Sequence, residues 1–313
     1  MSASATMIFG SPLGEVPFRI RKWTDDIITM NPIAFHVASG DAFFSGALIV
    51  AISCWMHAVT KTWMRRIATL GIVVGLVLIA ISSPGIPNSL LLMLVVLTLI
   101  AMMLNRYYKK SRSWLLLSVT LSLSIVVIQT TYLFPKSLTR INSKRLVVIG
   151  DSIAAGMNEP ESEKWPSLLA QNHSLFVDNL SVPGATTATI NTQIDKVTDQ
   201  PCVVILEIGG NDILGGRSIR DFSIDLRTLV KRLSKPGRVL LMFELPLPPF
   251  HDRFSRVQKE LAREFDISLL PKRDFLSVLV GKDATSDSLH LTSVGHKSMA
   301  ATVWRYINGA YCN

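Results

Sequence analysis

Between residues 42 and 134 the chain carries four apolar stretches, about 42–60, 67–82, 86–104 and 114–134, with no Lys, Arg or Glu inside any of them. That pattern leaves few folding options. A bilayer hydrocarbon core about 30 Å thick is crossed by about 20 apolar residues in a helix. Each stretch is therefore long enough to span, the second with help from its flanks. Four such runs in succession weigh against the buried core helices of a soluble domain. Beyond residue 135 the composition changes. The first 134 residues hold ten Lys or Arg against four Asp or Glu, whereas the rest hold 22 against 19, so the net charge of +9 divides as +6 and +3.

The basic excess sits in short loops beside apolar segments, which points to membrane topology rather than nucleic-acid binding, and no basic run interleaved with aromatics is present. Lys61, Arg65 and Arg66 fall between the first two stretches, and Arg106, Lys109, Lys110 and Arg112 between the last two. The connection Ser83-Pro84-Gly85 is uncharged. Positive-inside reasoning puts the two basic loops in the cytoplasm and both termini outside. Arg19, Arg21, Lys22, Lys136, Arg140, Lys144 and Arg145 count equally against this, but short loops must lie wholly on one side, whereas translocated domains tolerate charge.

Residues 1–41, interrupted by Glu15, Asp25 and Asp26, do not read as a secretory signal peptide. They read as a segment at a membrane interface or without fixed structure. His36 and Asp41, near the mouth of the first span, read as solvated interfacial groups. Cys54, Cys202 and Cys312 are too few and too scattered for a disulfide framework or a zinc site. The first two read as small buried hydrophobes.

Residues 135–144 make a polar linker, and residues 145–313 alternate strand and helix. Strands are expected at 145–149, 175–180, 202–208, 239–243 and 267–270, with helices at 163–171, 187–197, 220–233, 253–265 and 293–307. Such alternation gives an α/β domain, a parallel sheet with helices on both faces. Its sites gather at the carboxyl ends of the strands.

Four blocks fall where those ends are expected. The run Leu146-Val147-Val148-Ile149-Gly150-Asp151-Ser152 is an apolar strand closing on Gly-Asp-Ser, and it is followed by Gly184, by Gly209-Gly210-Asn211-Asp212 and by Asp287-Ser288-Leu289-His290. Alone, each reads as an ordinary turn. In order, they supply the parts of a serine hydrolase. Ser152 is presented near a helix N-terminus, where backbone amides suit a developing oxyanion. A serine hydroxyl needs a base. His290 is the candidate, with Asp287 three residues earlier to orient it. His296 is the rival base and Asp283 the rival orienter; His296 falls inside the closing helix, which favours a structural role. Asn211, after two glycines, can donate its amide to an oxyanion, and the Gly184 amide is a second candidate donor. Leu245-Pro246-Leu247-Pro248-Pro249-Phe250 could wall an acyl pocket, with Pro246, Leu247 and Pro248 as substrate contacts, or be an ordinary loop. Trp165 reads as core.

These blocks resemble those of the SGNH (GDSL-type) hydrolase superfamily, at Ser152, Gly184, Asn211 and His290. Residues 145–308 are similar to its bacterial thioesterase I, lysophospholipase L1 and arylesterase group in Trp165-Pro166-Ser167-Leu168-Leu169, in Leu206-Glu207-Ile208-Gly209-Gly210-Asn211-Asp212, and in Leu261-Ala262-Arg263-Glu264-Phe265-Asp266 with Leu269-Leu270-Pro271. The resemblance implies a flavodoxin-like three-layer fold, a Ser152-His290-Asp287 triad, an oxyanion hole from the Ser152 and Gly184 amides with the Asn211 side chain, no cofactor and no metal. Ile153 and Leu291 depart from the common Leu and Pro of relatives, and the larger departure is the apolar half.

Taken together, the expectation is an integral protein of the bacterial inner membrane with an extracytoplasmic ester hydrolase domain, its partners being an acyl ester substrate and the lipid bilayer. An acyltransferase that O-acylates envelope glycans and a catalytically silent binding domain are the alternatives.

Overall fold

The structure, a computed structural model, describes residues 31–59, 62–82, 84, 86–107, 112–131, 133–134, 136–157, 159–287 and 289–311. Residues 1–30, Lys61, Ser83, Gly85, Lys109, Lys110, Ser288 and Cys312, which carried parts of the sequence reading, lie outside these. A short helix α1 (Pro32–Ala38), with Asn31 as its N-cap, precedes four apolar helices: α2 (Asp41–Val59), α3 (Thr62–Ile81), α4 (Asn88–Tyr107) and α5 (Arg112–Thr130). Three of them, over Asp41–Val59, Trp63–Ile81 and Ser113–Thr130, are long and apolar enough to cross a membrane; Ser89–Leu104 is a shorter apolar helix.

Small residues set how α2 and α3 cross. A Cβ on Gly46 would lie 2.6 Å from the Gly75 carbonyl oxygen, and one on Gly75 would lie 2.6 Å from that of Gly46, so the two backbones touch. Helices in lipid associate through such close packing because no hydrophobic drive separates them from the tails. Leu70, Val73, Val77, Leu117, Leu123 and Val127 stay exposed.

The remaining residues build a five-stranded, wholly parallel sheet, β1 (Arg145–Gly150), β2 (Phe176–Asn179), β3 (Cys202–Glu207), β4 (Arg238–Phe243) and β5 (Ser268–Leu270), in the order β2-β1-β3-β4-β5. Side chains alternate across a strand, and the two cores follow that period. Val147, Ile149, Val204, Leu206, Leu240 and Met242 face one layer, whereas Leu146, Val148, Val203, Ile205, Leu241 and Phe243 face the other. Burial on both faces explains why these strands read as continuous apolar runs.

The first layer holds α8 (Asn191–Ile194), α9 (Gly210–Leu214), α10 (Ile219–Leu233) and α11 (Asp252–Glu264); Phe222, Leu226, Leu229, Val230 and Leu233 form the one buried stripe of α10, as helical periodicity demands. The second holds α7 (Trp165–His173), α12 (Lys272–Leu279) and α13 (Ser293–Tyr311), with Trp165 fully buried as core against Phe243. A four-residue helix α6 (Ser152–Ala155) follows β1.

Strand limits agree with expectation to within a residue or so. The helix expected at 187–197 contracts to Asn191–Ile194. There the threonines prefer side-chain partners to helical ones: Thr186 N–H donates to Thr189 Oγ1 (2.9 Å), and Thr187 binds Asp212 through backbone and hydroxyl. Cys54 and Cys202 are buried. Asp41, expected to be solvated, lies 3.5 Å from Arg273, and the His36 ring meets Ser45 Oγ at 2.9 Å.

Candidate active site

Because every strand points the same way, the residues following β1, β2 and β3 meet along one edge of the sheet. Ser152 follows β1, Gly184 lies beyond β2 and Asn211 beyond β3. Asp151 is the N-cap of α6, its Oδ1 accepting from Ile153 N–H at 3.0 Å. This cap fixes the corner on which Ser152 sits half-buried.

The Asn211 amide is held rather than free, donating to the Ala185 carbonyl at 2.9 Å and to Asp151 Oδ2 at 3.3 Å. One side chain thus links the loops after β1, β2 and β3. Gly209 makes its approach possible with φ of 113°, a backbone conformation costly for any residue with a side chain. A Cβ there would also lie 2.9 Å from Leu245 Cδ1 and 3.1 Å from Phe222 Cε2. Gly184 has φ of 75°, the left-handed turn geometry its residue type suits.

The base and its orienter occupy a turn pinned at its ends by a bridge between Thr285 and Leu291. Ser286 N–H donates to the His290 carbonyl at 2.9 Å. Inside it, Asp287 Oδ2 lies 2.6 Å from His290 Nδ1, while Asp287 Oδ1 accepts from the backbone N–H of His290 (2.9 Å) and of Leu289 (3.4 Å). Burial pushes the Asp287 carboxyl up, but the hydrogen bonds from His290 backbone and ring outweigh it and hold the group below the usual carboxylate range. The carboxylate is thus ionised at neutral pH. His290 is half-buried.

The rivals are placed elsewhere. His296 is fully buried under Trp165, its Nδ1 accepting the Trp165 backbone N–H at 3.2 Å. Asp283 is exposed, one side of the turn away from the ring that Asp287 engages. Of the run after β4, Leu245 and Leu247 join the core, Pro248 is buried, Pro246 is half-buried and Phe250 is exposed. Leu245 lies against Gly209, so the loop starts beside the Asn211 corner.

Three carboxyl groups that sequence reasoning gave no role surround this corner. Glu207, 2% exposed at the end of β3, accepts from Asp151 N–H through Oε2 at 3.3 Å. Burial, and then the neighbouring Asp151 charge, push it well above the ordinary carboxyl range. Burial also raises Asp151, to about 6. Asp212 accepts from Thr187 N–H (2.9 Å) and Thr187 Oγ1 (2.6 Å), tying the segment after β2 to that after β3. An acidic residue closing an otherwise wholly apolar strand, as Glu207 does, was the available signal. Among the described residues no group of three His, Cys, Asp or Glu could hold a metal ion.

Residues 148–297 match the GDSL-like lipase/acylhydrolase family. That stretch of the chain is similar to GDSL-like acylhydrolases. Its similarity to an arylesterase of Vibrio mimicus is 29% identity over 141 residues, 41% of this chain and 70% of that protein. Thioesterase 1/protease 1/lysophospholipase L1 of Escherichia coli K12 is 30% identical over 135 residues, 40% of this chain and 65% of that protein. Esterase TesA of Pseudomonas aeruginosa is 26% identical over 176 residues, 52% of this chain and 87% of that protein. The three alignments cover between 40% and 52% of this chain.

Proposed function

We propose that this chain is a membrane-anchored serine hydrolase that cleaves ester or thioester bonds of acylated lipids or envelope components. Its parts are four membrane helices within residues 42–134, a linker at 135–144 and the hydrolase domain at 145–313. The observation that carries the reading is the Asp287–His290 pair, held in a turn beyond which Ser293 donates to Glu159 (2.8 Å) in the segment that follows Ser152 and α6. The names of the relatives, an arylesterase, a thioesterase/lysophospholipase and an esterase, agree with it.

In this mechanism Ser152 Oγ attacks the acyl carbonyl while His290 Nε2 takes the hydroxyl proton. Asp287 holds the ring with its proton on Nδ1 and stabilises the imidazolium. The oxyanion is met by the backbone N–H groups of Ser152 and Gly184 and by the Asn211 amide, which turns from Asp151 Oδ2 toward it. Collapse breaks the ester C–O or thioester C–S bond, and His290 returns the proton to the leaving alcohol or thiol. Water, activated by the same ring, then releases the acyl group from Ser152.

The hydrolase domain faces away from the cytoplasm in this reading. α2 and α4 finish, and α3 and α5 start, at the end of the bundle opposite the α/β domain, and the chain is basic beside those helix ends, with Arg65, Arg66, Arg106 and Arg112. Positive-inside reasoning assigns that end to the cytoplasm. Hydrolysis of nitrophenyl esters of increasing acyl length by the purified full chain tests the function. Activity is expected in the natural chain together with labelling by a fluorophosphonate, and both disappear in Ser152→Ala; activity that survives the substitution refutes the assignment.

A further inference from the structure

A parallel sheet has one carboxyl edge, and in this chain that edge carries both the candidate nucleophile and the contacts to the membrane helices. Lys272, directly after β5 and Pro271, is buried, and its Nζ donates to the carbonyl of Ser82 at the end of α3 (3.3 Å). The next residue, Arg273, lies 3.5 Å from Asp41, the first residue of α2. A Cβ on Gly40 would lie 2.8 Å from Lys272 Cε, so the chain entering α2 is pressed onto the same side chain. Leu276 of α12 packs with Ala34 and Ala38 of α1. Gln129, in the last turn of α5, lines the small cavity above Lys272 and Lys259. Three apolar helices thus have an end at this edge, and the Lys272 contact among them is buried.

The catalytic corner lies a short way along the edge. Strands are about 4.8 Å apart, so the end of β1 is about 14 Å from that of β5 in the sheet order observed. The edge is also where large apolar side chains are left uncovered. Met157, in the loop after α6, is 39% exposed; Val182, after β2, is 38% exposed; Phe250, after β4, is 68% exposed. Phe250 in addition holds φ of 66°, an uncommon conformation for a bulky residue. At the opposite, amino edge Lys144, Asp199, Lys235 and Asp266 are exposed, and Phe176 at the start of β2 is the large apolar side chain exposed there.

We propose that the hydrolase domain is docked with its carboxyl edge turned to the bilayer, so that Met157, Val182 and Phe250 sit in the lipid interface and the Ser152 site takes acyl esters directly from the leaflet. The substrate part rests on the hydrolase reading given above; the orientation does not. The occupant of this apolar rim is the leaflet in which the chain's own helices end. A lipid ester needs to leave its surface only by the depth of the site, its acyl chain remaining in apolar surroundings.

Spin labels test the orientation without requiring activity. A nitroxide is placed at Met157→Cys, Val182→Cys or Phe250→Cys in the full chain carrying Cys312→Ser, reconstituted in phosphatidylcholine/phosphatidylglycerol nanodiscs. The three positions are expected to be relaxed more by oxygen than by a water-soluble nickel chelate, and a label at Lys235→Cys on the amino edge to show the reverse. Carboxyl-edge labels that behave like the Lys235 position overturn the orientation. Fluorophosphonate labelling of Ser152 in the unsubstituted chain separates the two failures: labelling with water-exposed nitroxides refutes the orientation alone, and absence of labelling with lipid-facing nitroxides refutes uptake of esters. With a nitrophenyl palmitate held at constant bulk concentration, the rate should follow its mole fraction in the disc; a rate insensitive to mole fraction overturns uptake from the leaflet.

Discussion

Replacing Asp287 by Asn should damage catalysis more than deleting the side chain altogether, and the turn explains why. Asp287 Oδ1 is fixed by the backbone N–H groups of His290 and Leu289, leaving Oδ2 for the ring at 2.6 Å. An Asn there must keep its oxygen on the two backbone donors. Flipping it would point an NH2 group at them and cost about 1–3 kcal/mol. Its nitrogen therefore faces His290 Nδ1 as a donor, which draws the ring into the tautomer protonated on Nε2. That tautomer cannot take the Ser152 proton. In Asp287→Ala the ring keeps both tautomers, and because the Asp287 side chain is 56% exposed, water can replace much of its stabilisation. The Ala variant should lose roughly 10²-fold in kcat/KM, the low end of general-base effects. The Asn variant should lose a further factor of about 10 to 100, since each 1.36 kcal/mol is tenfold, reaching roughly 10³ to 10⁴. Hydrolysis of a short nitrophenyl ester at neutral pH, with fluorophosphonate labelling as the parallel readout, distinguishes them. An Asn variant as active as the Ala variant, or more so, refutes the assigned geometry.

Three further outcomes concern the scaffold. Glu244 accepts from Lys259 Nζ (3.1 Å) and from Ser255 and Lys272 N–H; burial pushes its carboxyl up, but the lysines outweigh this and hold it below the ordinary range. Glu244→Gln strands two buried lysines and should destabilise the chain by about 3–5 kcal/mol, read by thermal unfolding in detergent, where a loss under about 1 kcal/mol refutes the pairing. In the natural chain Glu244 stabilises above the unfolded carboxylate pKa, an effect lost as pH falls through its lower folded value. Lys272, brought by burial down to about 8, is costly while charged, so stability should rise as pH climbs from about 8 toward 10.5; a flat profile there refutes this. Gly209→Ala, with a Cβ forced onto Leu245 and Phe222 at positive φ, should cost about 2 kcal/mol or more and lower kcat/KM by displacing Asn211. A fully stable, fully active variant contradicts that reasoning.

Much of this organisation is local and was therefore legible along the chain. Apolar runs without charge mark helices for lipid, and strands covered on both faces must be apolar throughout, so both halves and the position of Ser152, at the end of such a strand, follow from residue order. The helix expected at 187–197 is shorter, Asn191–Ile194, because Thr187 at its expected start binds Asp212, 25 residues away, and no periodicity reports such a partner.

His290 and His296 are told apart by contacts that only folding makes: His296 is buried against Trp165, and the His290 ring meets Asp287. The same holds for Glu207, whose raised pKa arises from burial against a residue of another strand end. The sequence by itself determined which segments are apolar, which alternate and where the Gly-Asp-Ser corner falls, because those properties depend on neighbours a few positions away. Only the tertiary structure decided which acid meets which base, and that the edge holding Ser152 is the one resting on the helix ends, because contacts such as Lys272 to Ser82 join residues 190 positions apart.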